Sequence, residues 1–249
     1  MSEHFYEYNM IDYTFYCNCF RNHENRQTQF NQKNLMCGSS FFDAGYKKDL
    51  SDRNFYFDDT GDNISKLNPW LGDLTGLYWV WKNTCDEIVG TNQYRRFWNH
   101  SAVESINFDT STIYVSAHVD LGRSVYEHYS MSHGEIGMYI LYMASYLKKI
   151  PFTHQQLDVL KNTSYISTCN MFFAHRALFD KICETLFEIV FELYNGSKYA
   201  LPFVQPTKNG RTETRMIAYL SERILTLMYL DHKRFFGDTR IELVDWEVL

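Results

Sequence analysis

The stretch DTGDNISKLNPWLGDLTGLYWVWKNTCDEIVGTNQYRRFW runs from Asp59 to Trp98 and contains three different signals in succession. A turn-rich loop comes first, an aromatic helix follows, and a short strand then leads into Tyr94-Arg95-Arg96. Open α/β sheets bind ligands at the carboxyl ends of their strands, and guanidinium groups bind phosphate oxygens as forks. The stretch therefore predicts a site for a phosphate-bearing substrate. The alternative is a structural pair that solvates the strand end or bridges to Asp86 and Glu87.

The totals narrow the class of protein. A chain of 249 residues can bury a large core, and we expect one domain over 1–249. A net charge of −6 argues against a nucleic-acid partner bound by broad phosphate neutralisation. The six cysteines form no CxxC pair, which is typical of a reducing compartment. No signal peptide or stretch of ~20 apolar residues is found, so we expect a cytoplasmic protein, at most peripherally attached to a membrane.

Apolar periodicity predicts alternating strands and helices, which is typical of an α/β sheet. The predicted strands are 13–20, one near 37–38, 87–91, 112–117 and 165–174. The predicted helices are one that begins at Asn68-Pro69, 135–147 with Tyr139 and Leu147 facing inward, 179–193 and 212–230. An exposed loop is expected over 195–210 because glycine and proline cluster there.

Two carboxylates are candidates for chemistry. Asp73 lies between Gly72 and Gly76, which let another group approach the backbone closely. Asp73 could act as a general base or hold a sugar hydroxyl; the alternative is a favourable interaction with the amino end of its helix. Glu222 shares a helix stripe with Arg215, so the two either face one pocket or form a structural ion pair.

Other chemistries have weaker support. His118 and Asp120 lie on one face of an extended segment, and Glu127, His128 or His133 could lie nearby, which makes an unspecific set of metal ligands. The sequence contains no GxGxxG, GxxxxGK[ST] or GxSxG motif. Dinucleotide binding of the Rossmann type, a P-loop and a serine nucleophile elbow are therefore not supported.

Six short motifs follow one another along most of the chain. They are Gly61-Asp62-Asn63-Ile64-Ser65, Gly72-Asp73-Leu74-Thr75, Tyr78-Trp79-Val80-Trp81-Lys82-Asn83, Gln93-Tyr94-Arg95-Arg96, Asn170-Met171-Phe172, and Arg215 with Ser221-Glu222-Arg223-Ile224-Leu225. In this order they resemble a family of bacterial and large-virus glycosyltransferases of capsular polysaccharide and O-antigen biosynthesis, once described only as a domain of unknown function. Some members of that family are similar to galactofuranosyltransferases.

The resemblance implies a GT-A-like domain with a nucleotide-sugar half over about 1–120 and an acceptor half over about 121–249. It implies transfer of a hexosyl group from a UDP-sugar, UDP-galactofuranose among the candidates, to a glycan hydroxyl. Asp73 or Glu222 would be the catalytic base, and a single displacement would invert the sugar. The expected donor-binding residues are Asp62, Asn63, Ser65, Gln93, Tyr94, Arg95 and Arg96. The expected acceptor- and sugar-binding residues are His133, Asn170 and Arg215.

Two positions depart from the family's pattern. A Cys-Glu pair is replaced by Gly72-Asp73, which keeps a carboxylate, and a histidine is replaced by Gln93, which cannot exchange protons. Gln93 can replace a histidine that only makes a hydrogen bond, but not one that acts as the base. The alternative function is therefore a catalytically degenerate protein that binds nucleotide sugars or carbohydrates.

The question of a metal follows from the same comparison. Many GT-A enzymes hold Mn²⁺ or Mg²⁺ on the donor diphosphate through a DxD motif, and this sequence contains none. The arginine pair occupies the corresponding place in chain order, and its charge could neutralise the departing diphosphate. We expect no firm cofactor, no dedicated metal site, and transfer that depends weakly or not at all on a divalent cation.

Overall fold

The computed structural model describes residues 13–20, 31–200 and 215–248. Within these ranges the strands are β1 (Tyr13–Cys19), β2 (Gln32–Met36), β3 (Phe55–Phe57), β4 (Ile88–Gln93), β5 (Arg96–Trp98), β6 (Thr112–Ser116), β7 (Val119–Asp120), β8 (Tyr165–Ile166), β9 (Phe172–His175), β10 (Arg240–Val244) and β11 (Trp246–Val248). The α-helices are α1 (Ala44–Asp52), α2 (Asn68–Leu71), α3 (Leu74–Asn83), α4 (His100–Glu104), α5 (Val125–His133), α6 (Ile136–Tyr146), α7 (His154–Leu157), α8 (Val159–Asn162), α9 (Arg176–Ala200), α10 (Met216–Leu230) and α11 (His232–Phe236).

A mixed sheet forms the centre of the fold, in the order β10-β6-β9-β4-β1-β2-β3. Strands β1 to β4 are parallel to their neighbours among themselves, whereas β9 runs antiparallel between β4 and β6. Because β1, β2 and β4 are parallel, their carboxyl ends meet at one edge of the sheet. The strands β5 and β11 form an antiparallel ribbon beside β4.

The two faces of the sheet are both covered, which explains why β1, β4 and β6 are buried along nearly their whole length and not at alternate residues. On one face, Tyr16 and Val89 belong to the large cluster that α3, α6, α9 and α10 complete. On the other face, Phe15, Trp98 and Phe173 form a smaller aromatic cluster. The α/β architecture expected from the sequence is confirmed.

The region around Asp73 differs from the single helix that the sequence predicts. Helix α2 contains Pro69 but ends at Leu71, because Gly72 has a left-handed φ of 55°. A new helix, α3, begins at Leu74. Asp73 therefore lies in the junction between two helices, where its side chain makes no capping hydrogen bond to α3.

The strand predicted over 165–174 is also divided. It consists of β8 and β9, and the turn between them contains Cys169 and Asn170 with φ values of 69° and 52°. Residues other than glycine rarely adopt this left-handed conformation, and it cannot continue a strand. The turn brings backbone and side chains of both residues to the carboxyl edge of β4.

Two predictions about the helices need correction. Tyr139 and Leu147 were predicted to face inward, but they are 63% and 57% exposed. Helix α9 continues to Ala200, past the predicted loop start at 195. Helix α10 is described from Met216 to Leu230, as predicted, while its predicted start at 212 and the loop residues 201–210 lie outside the described part of the chain. Among the helices that are described, none has the length and apolar composition to cross a bilayer.

Candidate active site

A pocket of about 690 Å³ opens at the carboxyl edge of the sheet. Its walls include Phe20 after β1, Cys37 and Gly38 after β2, and Tyr94 after β4. The position of the pocket follows from the sheet topology, because parallel strands leave a crevice beyond their carboxyl ends. Gly38 has a φ of 73°, and a Cβ there would lie 2.7 Å from Asn68 Cγ, so glycine is required for this close approach. Arg215 also lines the pocket, with its guanidinium 5.6 Å from the centroid of the Phe20 ring.

Asp73 lies beside this pocket, in a network of hydrogen bonds. Gln93 Nε2 donates to Asp73 Oδ2 at 2.6 Å, and Asn170 Nδ2 donates to the same oxygen at 3.3 Å. The charge of Asp73 contributes to the raised pKa of the Cys37 thiol, whose largest cause is burial, and Cys37 is a wall residue of the pocket. Asp73 directly follows Gly72, whose carbonyl accepts a hydrogen bond from the wall residue Asn68 at 2.7 Å. Neither side-chain donor reaches Oδ1 of Asp73.

The environment of Asp73 changes its acidity. Burial raises the pKa of Asp73 to about 6; the charge of Glu222 adds to the rise, whereas hydrogen bonds from Asn170 and Gln93 oppose it. Removing a carboxylate from water disfavours its charged form, and a second carboxylate nearby has the same effect. Asp73 therefore titrates close to physiological pH, which is the range in which a general base is most effective.

The turn at Cys169 and Asn170 connects this carboxylate to the rest of the site. The Cys169 carbonyl accepts from Gln93 Nε2 at 3.1 Å, and the Cys169 backbone N–H donates to Glu222 Oε1 at 2.7 Å. Asn170 Oδ1 accepts from Ser221 Oγ at 2.9 Å while its amide donates to Asp73. The strained turn thus holds Asp73, Gln93 and Glu222 in one cluster, as is common for strained backbone at functional sites.

Glu222 is fixed by a buried arginine rather than by Arg215. Arg223 Nη1 donates to Glu222 Oε2 at 2.6 Å and to the Tyr219 carbonyl at 2.9 Å. Its Nη2 lies 3.3 Å from His128 Nδ1, and the Arg223 side chain is 3% exposed. Both oxygens of Glu222 therefore already accept a hydrogen bond. Arg215 lines the pocket instead, so the predicted structural ion pair between Arg215 and Glu222 is replaced by the pair with Arg223.

The arginine pair lies in a hairpin and not along an extended strand. Strand β4 ends at Gln93, Tyr94 and Arg95 form the turn, and Arg96 begins β5 directly opposite Gln93. Residues opposite each other in an antiparallel pair share a face of the sheet. Accordingly, Arg96 Nη1 reaches Cys169 Sγ at 2.7 Å, next to the carbonyl that Gln93 binds.

The two arginines therefore have different surroundings. Arg96 Nε is buried and makes no hydrogen bond to any described residue. Arg95 is exposed, with its guanidinium 4.9 Å from the centroid of the Tyr94 ring. The carboxylate of Asp86, a predicted alternative partner, accepts instead from Thr14 and Tyr16 and pairs with Lys33.

The polar loop before α2, residues 61–65, lies partly away from the cluster of Asp73, Gln93 and Glu222. The backbone N–H of Asp62 donates to Asn83 Oδ1 at the end of α3, and Asn63 bonds the Gly61 carbonyl. Since α3 is 10 residues long, Asp62 lies about 15 Å along that helix from Asp73. Ser65 is nearer to the pocket, because it donates to Asp58, and Asp58 accepts from the Gly38 N–H. A donor-binding role for Asp62, Asn63 and Ser65 stays a prediction.

His133 is placed between helices. Its ring stacks on Tyr219 with 3.7 Å between centroids, and burial lowers the pKa of His133 to about 4, helped by the nearby charge of Arg223. His133 is therefore neutral at physiological pH. Its contact with Tyr219 packs α5 against α10, next to Arg223, and its predicted role in sugar binding stays a prediction.

The weak candidates for a metal site have other partners. Asp120 Oδ1 accepts from the Gly122 N–H at 3.0 Å, Glu127 belongs to the capping box of α5, and His128 lies against Arg223. Burial lowers the pKa of His118. In residues 13–20, 31–200 and 215–248, no three His, Cys, Asp or Glu side chains converge in a way that could hold a metal ion.

The sequence profile of a domain of unknown function, DUF4422, matches residues 26–234. The chain belongs to the DUF4422 family. Among solved structures, this DUF4422 chain is similar to the apo structure of WbbM, a bifunctional glycosyltransferase, with a TM-score of 0.70 and 20% sequence identity. The match covers 95% of this chain but 45% of WbbM, so the chain spans less than half the length of that protein. No curated protein matches the chain.

At this level of identity the similarity concerns the fold, which is the GT-A-like α/β fold expected from the sequence. The DUF4422 chain also contains site residues that sequence reasoning did not single out as functional, namely Cys169, Ser221 and Arg223. Each is adjacent in sequence to a predicted site residue, Asn170 or Glu222, so the motifs contain a signal for them. Their roles depend on contacts between distant segments, which spacing alone does not reveal.

Proposed function

We propose that this protein is a glycosyltransferase that transfers a hexosyl group from a UDP-sugar to a hydroxyl of a glycan in surface polysaccharide or glycan synthesis, drawing on a cytoplasmic donor. One observation carries the proposal: a buried carboxylate with a pKa of about 6 lies beside an open pocket, at the sheet edge where this fold accepts ligands. The likeness in fold to a glycosyltransferase supports the same reading.

The reaction is a single displacement. The acceptor oxygen attacks the anomeric carbon, Asp73 accepts the hydroxyl proton, and the bond between that carbon and the diphosphate oxygen breaks. UDP leaves with the electron pair, and the sugar configuration is inverted. The other carboxylate, Glu222, is less suited to the role of base, because both of its oxygens already accept hydrogen bonds from the Cys169 N–H and Arg223.

The pocket residues suit the nucleotide part of the donor. Phe20 and Tyr94 lie edge to face with 5.7 Å between ring centroids, and Arg215 lies over Phe20. An aromatic wall can stack a base, and a guanidinium can bind a phosphate or a sugar hydroxyl. We therefore place the uridine on Tyr94, with Arg215 facing the donor and Asn170 orienting the sugar beside Asp73.

Gln93 supports activity in spite of the lost histidine. Its amide donates to both Asp73 and the Cys169 carbonyl, so it positions the base without exchanging protons. In this proposal Gln93 replaces a histidine that only makes a hydrogen bond.

The second candidate function is a binding protein without turnover. It is favoured by the burial of Asp73, whose exposed fraction is 9%.

Nucleotide release separates the two functions. The protein is incubated with a panel of UDP- and dTDP-sugars, with UDP-galactofuranose first, and free UDP or dTDP is measured with and without oligosaccharide acceptors. Release of UDP from one donor, stimulated by an acceptor, is the expected result. Saturable donor binding without release from any donor would favour the binding protein.

Arg96→Ala is expected to weaken UDP binding by about 10- to 100-fold, because a hydrogen bond to a charged group contributes about 1.5–3 kcal/mol. An exposed arginine that is not a wall residue of the pocket provides a matched control, and Arg53→Ala should change the affinity by less than about 3-fold. Calorimetric titration with UDP measures both, and thermal unfolding checks that each variant is folded.

Metal dependence is tested in the same titration. If Arg96 supplies the positive charge at the diphosphate, EDTA should lower UDP affinity and turnover by less than about 3-fold, and added Mn²⁺ or Mg²⁺ should restore little.

Equal affinity of Arg96→Ala and the unchanged protein for UDP would contradict the proposed anion site. A complete loss of activity in EDTA would contradict the proposed role of Arg96 as the main counter-charge.

A further inference from the structure

An apolar groove of about 620 Å³ runs between α6 and α9. Helix α6 lines it with Ile136, Ile140 and Met143, the residue after its end contributes Leu147, and α9 contributes Leu193. These α6 positions recur at helical spacing, so the groove is one continuous face of the helix. The proposed transfer reaction uses none of these residues.

A contact between aromatic rings connects the neighbourhood of the groove with that of the substrate pocket. The Tyr194 ring contacts the Trp70 ring with 6.0 Å between centroids. Trp70 follows Pro69, a wall residue of the pocket, and Tyr194 follows Leu193, a wall residue of the groove.

The end of α6 exposes large apolar side chains next to basic ones. Tyr139, Tyr146 and Leu147 are 63%, 69% and 57% exposed. Lys148, with a φ of 55°, ends the helical segment, and Lys148 and Lys149 are both exposed. Tyrosines beside lysines at the end of an apolar face are typical of segments that lie in a membrane interface, with rings at headgroup depth and ammonium groups on phosphates.

We propose that this face, formed by α6, Lys148, Lys149 and the groove, docks on the surface of an anionic bilayer. Charge complementarity selects this partner: the chain has a net charge of −6, yet the exposed apolar end of α6 carries two adjacent lysines. Glu192 lines the groove, exposed Glu188 lies one helical turn before it, and Glu135 lies at the opposite end of α6 from the lysines. The lysines meet lipid phosphates while Tyr146 and Leu147 enter the interface.

Vesicle sedimentation tests the proposal. The full chain is mixed with vesicles of phosphatidylcholine alone or with phosphatidylglycerol added, and the bound fraction is measured. The protein should bind the anionic vesicles, and binding should weaken by about tenfold or more in Lys148→Glu/Lys149→Glu and in Tyr146→Ser/Leu147→Ser. Matched controls are Lys181→Glu/Lys233→Glu and Tyr165→Ser, which change exposed residues outside the groove.

Because these side chains are exposed, the variants should unfold at the same temperature as the parent chain. No binding to anionic vesicles, or equal binding by all variants, would overturn the proposal. A shift from dimer to monomer in Tyr146→Ser/Leu147→Ser, without vesicle binding by the parent chain, would also overturn it and assign the face to a second copy. Vesicle binding requires no turnover, so these outcomes are independent of the proposed transferase activity.

Discussion

Asp73→Asn should lower the rate of glycosyl transfer by about 10³-fold, while UDP binding changes little. A positioned general base contributes typically 10²- to 10⁴-fold, and asparagine keeps the shape but cannot accept the proton. In the unchanged protein, the rate should rise with pH through an inflection near the pKa of about 6, because the base must be ionised. Initial rates of UDP release between pH 4.5 and 8.5 measure both effects.

The same substitution should stabilise the fold at neutral pH. A carboxyl whose pKa is raised in the folded state costs stability above that pKa, since its ionised form is disfavoured by burial. The difference from an ordinary aspartate corresponds to about 3 kcal/mol at most. Asp73→Asn should therefore unfold at a higher temperature than the parent chain at pH 8, with the difference disappearing at pH 4.

Asp86→Asn is the matched control with the opposite sign. Burial opposes ionisation of Asp86, but hydrogen bonds from Thr14 and Tyr16 and the pair with Lys33 hold its pKa below the ordinary value. Asp86→Asn should therefore lower the unfolding temperature at pH 8 and leave the rate of glycosyl transfer unchanged.

Full transfer activity in Asp73→Asn would show that Asp73 is not the base.

Arg223→Ala should have the largest effect on stability, about 3–5 kcal/mol. Arg223 is the cation that holds Glu222, and removing one partner of a buried pair leaves an uncompensated charge. For a chain of 249 residues this corresponds to a fall of about 10 °C in unfolding temperature, measured by calorimetry. The Cys169 turn depends on Glu222, so activity should fall as well.

A double variant and a surface control make this prediction specific. The double variant Arg223→Met/Glu222→Gln removes both charges. It should recover most of the lost stability, because replacing a whole buried ion pair by neutral side chains of similar size often costs little. Arg53→Ala breaks an exposed pair with Asp49, whose atoms are 3.9 Å apart, and should cost less than about 1 kcal/mol. A loss of the same size in Arg53→Ala and Arg223→Ala would contradict the role assigned to burial.

Local pattern predicted much of the fold. The apolar runs of β1, β4 and β6 and the amphipathic spacing in α3, α9 and α10 were visible in the residues, because strand and helix periodicity reflects burial on one or both faces. The errors occurred where a few backbone angles interrupt a pattern, at Gly72 and at Cys169-Asn170. Tyr139 and Leu147 were misplaced because apolar residues on a helix surface follow the same spacing as buried ones.

The sequence by itself determined which residues are chemically able to act: a carboxylate at Asp73, an amide in place of histidine at Gln93, and guanidinium groups at positions 95, 96 and 215. Only the tertiary structure decided that Asn170, which is 97 residues from Asp73, holds its carboxylate, that Arg96 and not Arg95 reaches the cluster, and that Glu222 pairs with Arg223. The physical reason is that acidity and hydrogen bonding depend on burial and on neighbours in space. Those neighbours come from strands and helices that are distant in the chain.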